Sequence, residues 1–144
     1  MREITNLMIR EYNIKKLGYD FMGFNIKKNN LSFHHLIVPK RDCKRLHIEN
    51  NGYVKWNGAI LGQDTSHEYL HKIEIYDRKA FEMITQLMIE ENKMGKLDID
   101  ILLEIHNILE NFEKEHKNER TSRGKILIKP EYITTRNTLN GHKK

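Results

Sequence analysis

Of the five histidines between positions 34 and 71, four form two pairs whose spacings call for different backbones. His34 and His35 are adjacent within the apolar run Leu31-Ser32-Phe33-His34-His35-Leu36. His67 and His71 lie four apart in Thr65-Ser66-His67-Glu68-Tyr69-Leu70-His71. On a helix, residues i and i+4 share a face, so the second pair can aim both rings at one ion. On a strand, neighbours point to opposite faces, so one of the first pair can join that ion while the other does a different job. Asn57, in Lys55-Trp56-Asn57-Gly58-Ala59-Ile60-Leu61, stands between the pairs. The chain thus reads as strand, histidine pair, basic loop, strand with Asn57, then a helix bearing two histidines.

The flanking segments can be placed from punctuation and periodicity. Residues 2–17 read as one short amphipathic helix with Ile4, Leu7, Met8, Ile14 and Leu17 on one side. Gly18 and Gly23 interrupt the pattern, which makes 19–28 extended or irregular. Asn29-Asn30 signals a turn into a strand over 31–37, which Pro39 ends. The polar stretch 40–52 closes on Asn51-Gly52, a tight-turn dipeptide, and a second strand fits 53–61. Thr65-Ser66-His67-Glu68 has the form of a capping box that starts a helix running to about Tyr76. Asp77 can cap the next helix, which carries Phe81, Ile84, Leu87 and Met88 inward and stops at Gly95. Asp98 or Asp100 opens a third, with Ile101, Ile105, Ile108 and Phe112 on its core face. Glu90, Glu91, Glu104 and Glu110 read as solvated faces, and His47, His106, His116 and His142 as filler. The organisation expected is an N-terminal helix and irregular segment (1–30), the histidine-bearing unit (31–76), a helical hairpin (77–119) and a basic tail (120–144).

A chain of 144 residues suits one domain with a hydrophobic core. No run approaches the ~20 apolar residues of a membrane span, and the first residues lack a secretory pattern. The single cysteine, Cys43, rules out an internal disulfide framework, so a reducing cytoplasm is the expected location. The net charge of +5 favours a polyanionic partner. Its distribution says more: Lys15, Lys16, Lys27 and Lys28 precede the histidine pair, and Lys40, Arg41, Lys44 and Arg45 follow it. The tail adds Arg120, Arg123, Lys125, Lys129, Arg136, Lys143 and Lys144. No Gly-rich phosphate loop of the nucleotide-cofactor type is present.

Neutral imidazoles suit Zn²⁺ and its first-row neighbours, and three protein ligands leave a position open for water or substrate. His34, His67 and His71 can supply the three, leaving His35 to take a proton. At this point His34-His35, Asn57 and His67-x-x-x-His71 resemble the HNH endonucleases, most of all the nuclease-colicin branch with its His-x-x-x-His ending. The resemblance covers residues 31–76. It implies a ββα-metal finger in which His34, His67 and His71 hold one divalent ion (Zn²⁺, or Mg²⁺, Mn²⁺ or Ni²⁺). His35 would be the general base, and Asn57 would fix the loop and orient it. The loop from His35 to Asn57 is longer than in compact members, and the Gly-Gly often found after the Pro is absent.

The expectation is therefore an α+β protein: a ββα-metal core with a helical C-terminal half, hydrolysing phosphodiester bonds in nucleic acid, double-stranded DNA first. Two rivals keep the metal without the chemistry. One is a binding or inhibitory module acting on a nucleoprotein partner through the helical half. The other is a zinc-stabilised DNA-binding protein.

Overall fold

The computed structural model describes residues 2–26 and 30–116, with the backbone of 120–121 and 124–125. Most of the tail, including Ile126-Leu127-Ile128 and His142, lies outside the described residues, as do Lys27, Lys28 and Asn29. The elements in chain order are α1 (Glu3–Glu11), α2 (Ile14–Leu17), β1 (Leu31–His35), α3 (Lys40–Cys43), β2 (Gly58–Gly62), α4 (Glu68–Tyr76), α5 (Arg78–Met94), α6 (Ile99–His116), β3 (Arg120–Thr121) and β4 (Gly124–Lys125). The fold is mixed α+β: helices surround the two-stranded antiparallel sheet of β1 and β2, and β3 pairs with β4 separately.

Several boundaries differ from the sequence reading, each for a local reason. The expected 2–17 helix breaks in two because Asn13 adopts φ 54°, a left-handed conformation that ends α1. Met8 and Ile14 enter the core, whereas Leu7 stays exposed. β1 stops at His35 rather than 37, because the Ile37 and Val38 amides are taken by the Asn57 side chain instead of a strand partner. Pro39 ends no strand directly but caps α3, a turn of helix inside the stretch expected to be loop. The second strand is Gly58–Gly62 rather than 53–61. Asn57 therefore precedes it, in a 3₁₀ turn over Lys55–Asn57.

The capping box at Thr65 does not form. Residues Gln63–His67 make a π-type turn, and the Thr65 hydroxyl is buried with no partner among the described residues. Ser66 holds this corner instead. Its hydroxyl donates to the Asp20 carboxylate, and it accepts from the Gly62 amide at 3.0 Å. Asp20 is fully buried and also accepts from the amides of Met22, Phe24 and Gly62. Burial pushes its carboxyl above the usual range, while those hydrogen bonds oppose the shift. One side chain thus ties the irregular N-terminal segment to the end of β2.

The helical half follows its signals. The Asp77 carboxylate accepts from the Ala80 amide at 3.0 Å, and Gly95 ends α5 with φ 73°. Ile84, Met88, Ile105 and Phe112 are buried, while Phe81, Leu87, Ile101 and Ile108 pack half-buried around them. Each fully buried large side chain contributes about 1.5–3 kcal/mol. α5 is pinned to the sheet by Asn92, whose amide donates to the Lys55 and Gly58 carbonyls at 2.7 Å each. Glu91 departs from the solvated-face expectation: it is fully buried, with one oxygen accepting from the Asp98 amide. Among the described residues no helix is long and apolar enough to cross a membrane.

Candidate metal centre

Strand alternation divides β1 between two clusters. Ser32 and His34 share one face, and α4 crosses that face with His67 just before its first turn and His71 one turn later. Phe33 and His35 share the other face, where they meet Tyr53. In the register, His34 lies opposite Ala59 and His35 opposite Gly58.

His34, His67 and His71 converge: each offers a ring nitrogen, and the three lie within 4.8 Å of one another. His34 Nδ1 stands 3.3 Å from His67 Nε2. Two nitrogens bound tetrahedrally to one zinc at ~2.0–2.1 Å are about 3.3–3.4 Å apart, so this separation is the one a shared ion needs. The His67 and His71 rings are 4.8 Å apart by centroid, and His34 and His71 5.8 Å. His34 Nε2, the nitrogen distal to that pairing, is buried with no partner among the described residues.

Neighbouring groups orient two of the rings, and the sequence reading missed both. The Ser32 hydroxyl donates to the Leu61 carbonyl at 3.2 Å, which uses its only proton. His67 Nδ1, 2.8 Å from Ser32 Oγ, is therefore the donor in that contact and leaves Nε2 as the lone pair facing His34. His71 Nδ1 lies 3.5 Å from a Glu74 carboxylate oxygen, which favours the same tautomer. Carboxylate or hydroxyl partners on the distal nitrogen are a recurrent support of histidine ligands. Signals for both were present, Ser32 being two residues before His34 and Glu74 three after His71, but each is readable only once the ligands are known.

Electrostatics keep His34 and His67 neutral. Burial, followed by the charge His67 and His71 would carry, lowers the His34 pKa to about 3. Burial, then His71 and His35, lowers that of His67 to about 4. Both imidazoles are thus unprotonated near neutral pH, the state in which they can ligate.

His35 sits outside this cluster. Its Nε2 is 3.0 Å from the Asn51 carbonyl, which can only accept, so Nε2 carries the hydrogen and Nδ1 the lone pair. Tyr53 meets the ring edge-on at 4.7 Å and Phe33 at 5.2 Å. Burial lowers its pKa first, and the charges of Lys40 and Arg2 add to this against the Asn51 bond.

Asn57 does not touch His35 through a hydrogen bond; it holds the loop that does. Its oxygen accepts from the Ile37 and Val38 amides at 2.8 Å each, and its amide donates to the Val38 and Gly52 carbonyls at 3.0 and 3.2 Å. Fully buried, it clamps the end of β1 to the Asn50-Asn51-Gly52 turn, in which all three residues have positive φ. Any orientation of His35 by Asn57 therefore passes through Gly52 and the Asn51 carbonyl.

The histidines open into a cleft of about 510 Å³, to which Lys40 and Arg41 bring positive charge, whereas Arg78 is paired there with Glu74 at 2.9 Å and Glu82 at 3.8 Å. Of the other basic residues singled out from the sequence, Lys15 and Lys16 lie on α2 away from the cleft, and Arg45 pairs with Asp42 at 3.5 Å. Cys43 is buried with its thiol 3.4 Å from the Pro39 carbonyl and is not among the converging ligands. A second group, Asp77, Glu115 and His116, also brings ligand-type atoms within 4.8 Å, but Asp77 there caps α5. Comparison with protein-family models, with curated proteins and with solved structures finds no match to this chain.

Proposed function

We propose that this chain is a metal-dependent endonuclease of the HNH type, in which residues 31–76 act as a ββα-metal finger that hydrolyses phosphodiester bonds in duplex DNA. The observation that carries the reading is the split of the adjacent histidines on β1. His34 joins the buried imidazole cluster, and His35 stands beside it at the same cleft with a free lone pair. A structural metal site needs the first arrangement and has no use for the second.

In this reading His35 Nδ1 removes a proton from a water placed behind the scissile phosphorus. The new oxygen–phosphorus bond forms as the bond to the 3′ oxygen breaks, and the departing oxygen is protonated from solvent. The Asn51 carbonyl, held in place by Asn57 through Gly52, keeps the base in its working tautomer. His34, His67 and His71 would hold a divalent ion, which would supply positive charge against the negative charge that builds on the phosphate and leaving oxygen. Lys40 and Arg41 at the cleft contact neighbouring phosphates, so affinity falls with salt.

Nicking of supercoiled plasmid with EDTA, Zn²⁺, Mg²⁺, Mn²⁺ and Ni²⁺ arms tests this. Wild type nicks with at least one metal and not with EDTA. His35→Ala abolishes nicking with metal content intact, whereas His71→Ala lowers metal affinity. Metal binding without nicking in any arm would leave the non-catalytic scaffold as the function.

A further inference from the structure

Tyr53 lines the histidine cleft and also a second, wider groove of about 1090 Å³ between α1 and the turn over residues 50–55. From α1 and its N-cap this groove receives Arg2, Asn6 and Arg10, and from the facing turn Asn50, Asn51 and Lys55. We propose that the DNA backbone leaving the cleft crosses Tyr53 and continues along this groove, where Arg2 and Arg10 bind its phosphates. The inference rests on the nuclease reading above and names the path its substrate takes.

Continuity of charge is the first argument. The Arg2 guanidinium lies 3.7 Å from the Tyr53 ring centre, and the Lys40 ammonium, which belongs to the cleft, lies 5.5 Å from the same ring. The ring therefore carries a cation from each cavity and joins them into one positive band. Spacing is the second. Tyr53 is 4.7 Å from His35, so two short steps of 4.7 and 3.7 Å bring Arg2 to the catalytic side. That span is at most about two and a half times the ~3.4 Å rise per nucleotide of one strand, which places Arg2 within two or three phosphates of the scissile bond.

The third argument is which cations are available. Lys55 is committed to Glu11 at 3.2 Å. Arg2 and Arg10 form no ion pair among the described residues, and Arg10 is exposed on the groove wall. The side-chain amides of Asn6, Asn50 and Asn51 add uncharged donors of the kind that fix register on a phosphate backbone. Glu3, also at the groove, narrows the positive track without closing it.

The test is a salt titration of binding by the full chain to a labelled duplex of about 20 base pairs, by fluorescence anisotropy with EDTA present. Each phosphate contact contributes roughly 0.9 to the slope of log affinity against log salt. Arg2→Ala/Arg10→Ala is expected to make the slope shallower by roughly 1.8, and Arg10→Ala, which leaves the Tyr53 stack intact, by roughly 0.9. Arg10→Lys keeps the wild-type slope, and so does Lys96→Ala, which removes a charge outside both grooves. Wild-type slopes in both alanine variants, with melting temperatures unchanged, overturn the path. The two readings can fail separately: reduced slopes without plasmid nicking remove the catalysis and keep the groove, whereas nicking with unchanged slopes removes the groove alone.

Discussion

Gly52→Ala probes the turn that positions His35, and its effect can be worked out against two internal controls. Gly52 has φ 82°, and a Cβ added there would lie 2.5 Å from Cys43 Sγ, 2.8 Å from His35 Cδ2 and 3.0 Å from Asn57 Nδ2. Gly18 and Gly95 have similar φ, 85° and 73°, but nothing lies within 4 Å of the position a Cβ would take. Alanine at either control site therefore carries only the left-handed strain, about 1–2 kcal/mol. Gly52→Ala adds overpacking of a closed site, about 1–3 kcal/mol more. For a chain of this size each kcal/mol moves the melting temperature by roughly 2–4 °C. Gly52→Ala should thus melt several degrees below Gly18→Ala and Gly95→Ala. The contacts to His35 and Asn57 also make a functional distinction: Gly52→Ala should lose nicking while binding metal with near-wild-type affinity, and the controls should nick normally. Thermal melts, metal titration and the plasmid assay on the three variants give the answer. If Gly52→Ala matches Gly95→Ala in stability and activity, the packed contact of Cys43, Gly52, His35 and Asn57 is not what holds the base.

Ser32→Ala removes the acceptor that sets the His67 tautomer. Metal affinity should fall about 10- to 100-fold by competition with a chromophoric chelator, and an unchanged affinity would discard the orienting role. The depressed pKa values of His34 and His67 make the unfolded chain bind more protons than the folded one below pH 6.5. Metal-free stability should therefore be complete above pH 6.5 and be lost as pH falls toward about 4 and then 3. Urea midpoints across that window should show a shallower dependence for His67→Ala than for wild type. Glu91 has the opposite sign: burial raises its pKa well above 4.5, so its contribution is complete below pH 4.5 and is lost as pH rises. Glu91→Gln keeps an acceptor for the Asp98 amide and should raise the melting temperature more at pH 8 than at pH 5. An equal change at both pH values would mean that the carboxyl is ionised without penalty.

What could be read from the sequence was whatever follows from a local repeat. Alternation along Leu31–His35 and the four-residue step from His67 to His71 limit where those rings can point, whatever the rest of the chain does. Asp77 and Gly95 likewise mark the ends of α5 through their own backbone chemistry. Other features depended on which segments pack together, and no local pattern carries that information. Thr65-Ser66-His67-Glu68 has the letters of a capping box, yet Ser66 is drawn to Asp20, 46 residues earlier, and the box never forms. Glu91 has the spacing of a solvated face, but packing buries it against the Asp98 amide, with Asp20 and Tyr19 of the N-terminal segment near enough to feel its charge. Asn57 was visible as a residue of interest, whereas its four partners at Ile37, Val38 and Gly52 exist only once the loop folds back. The contact of Arg2 with the face of Tyr53, and of Tyr53 edge-on with His35, joins three segments distant in sequence. Burial and long-range partnership are properties of the packed chain, and the tertiary structure alone decided them.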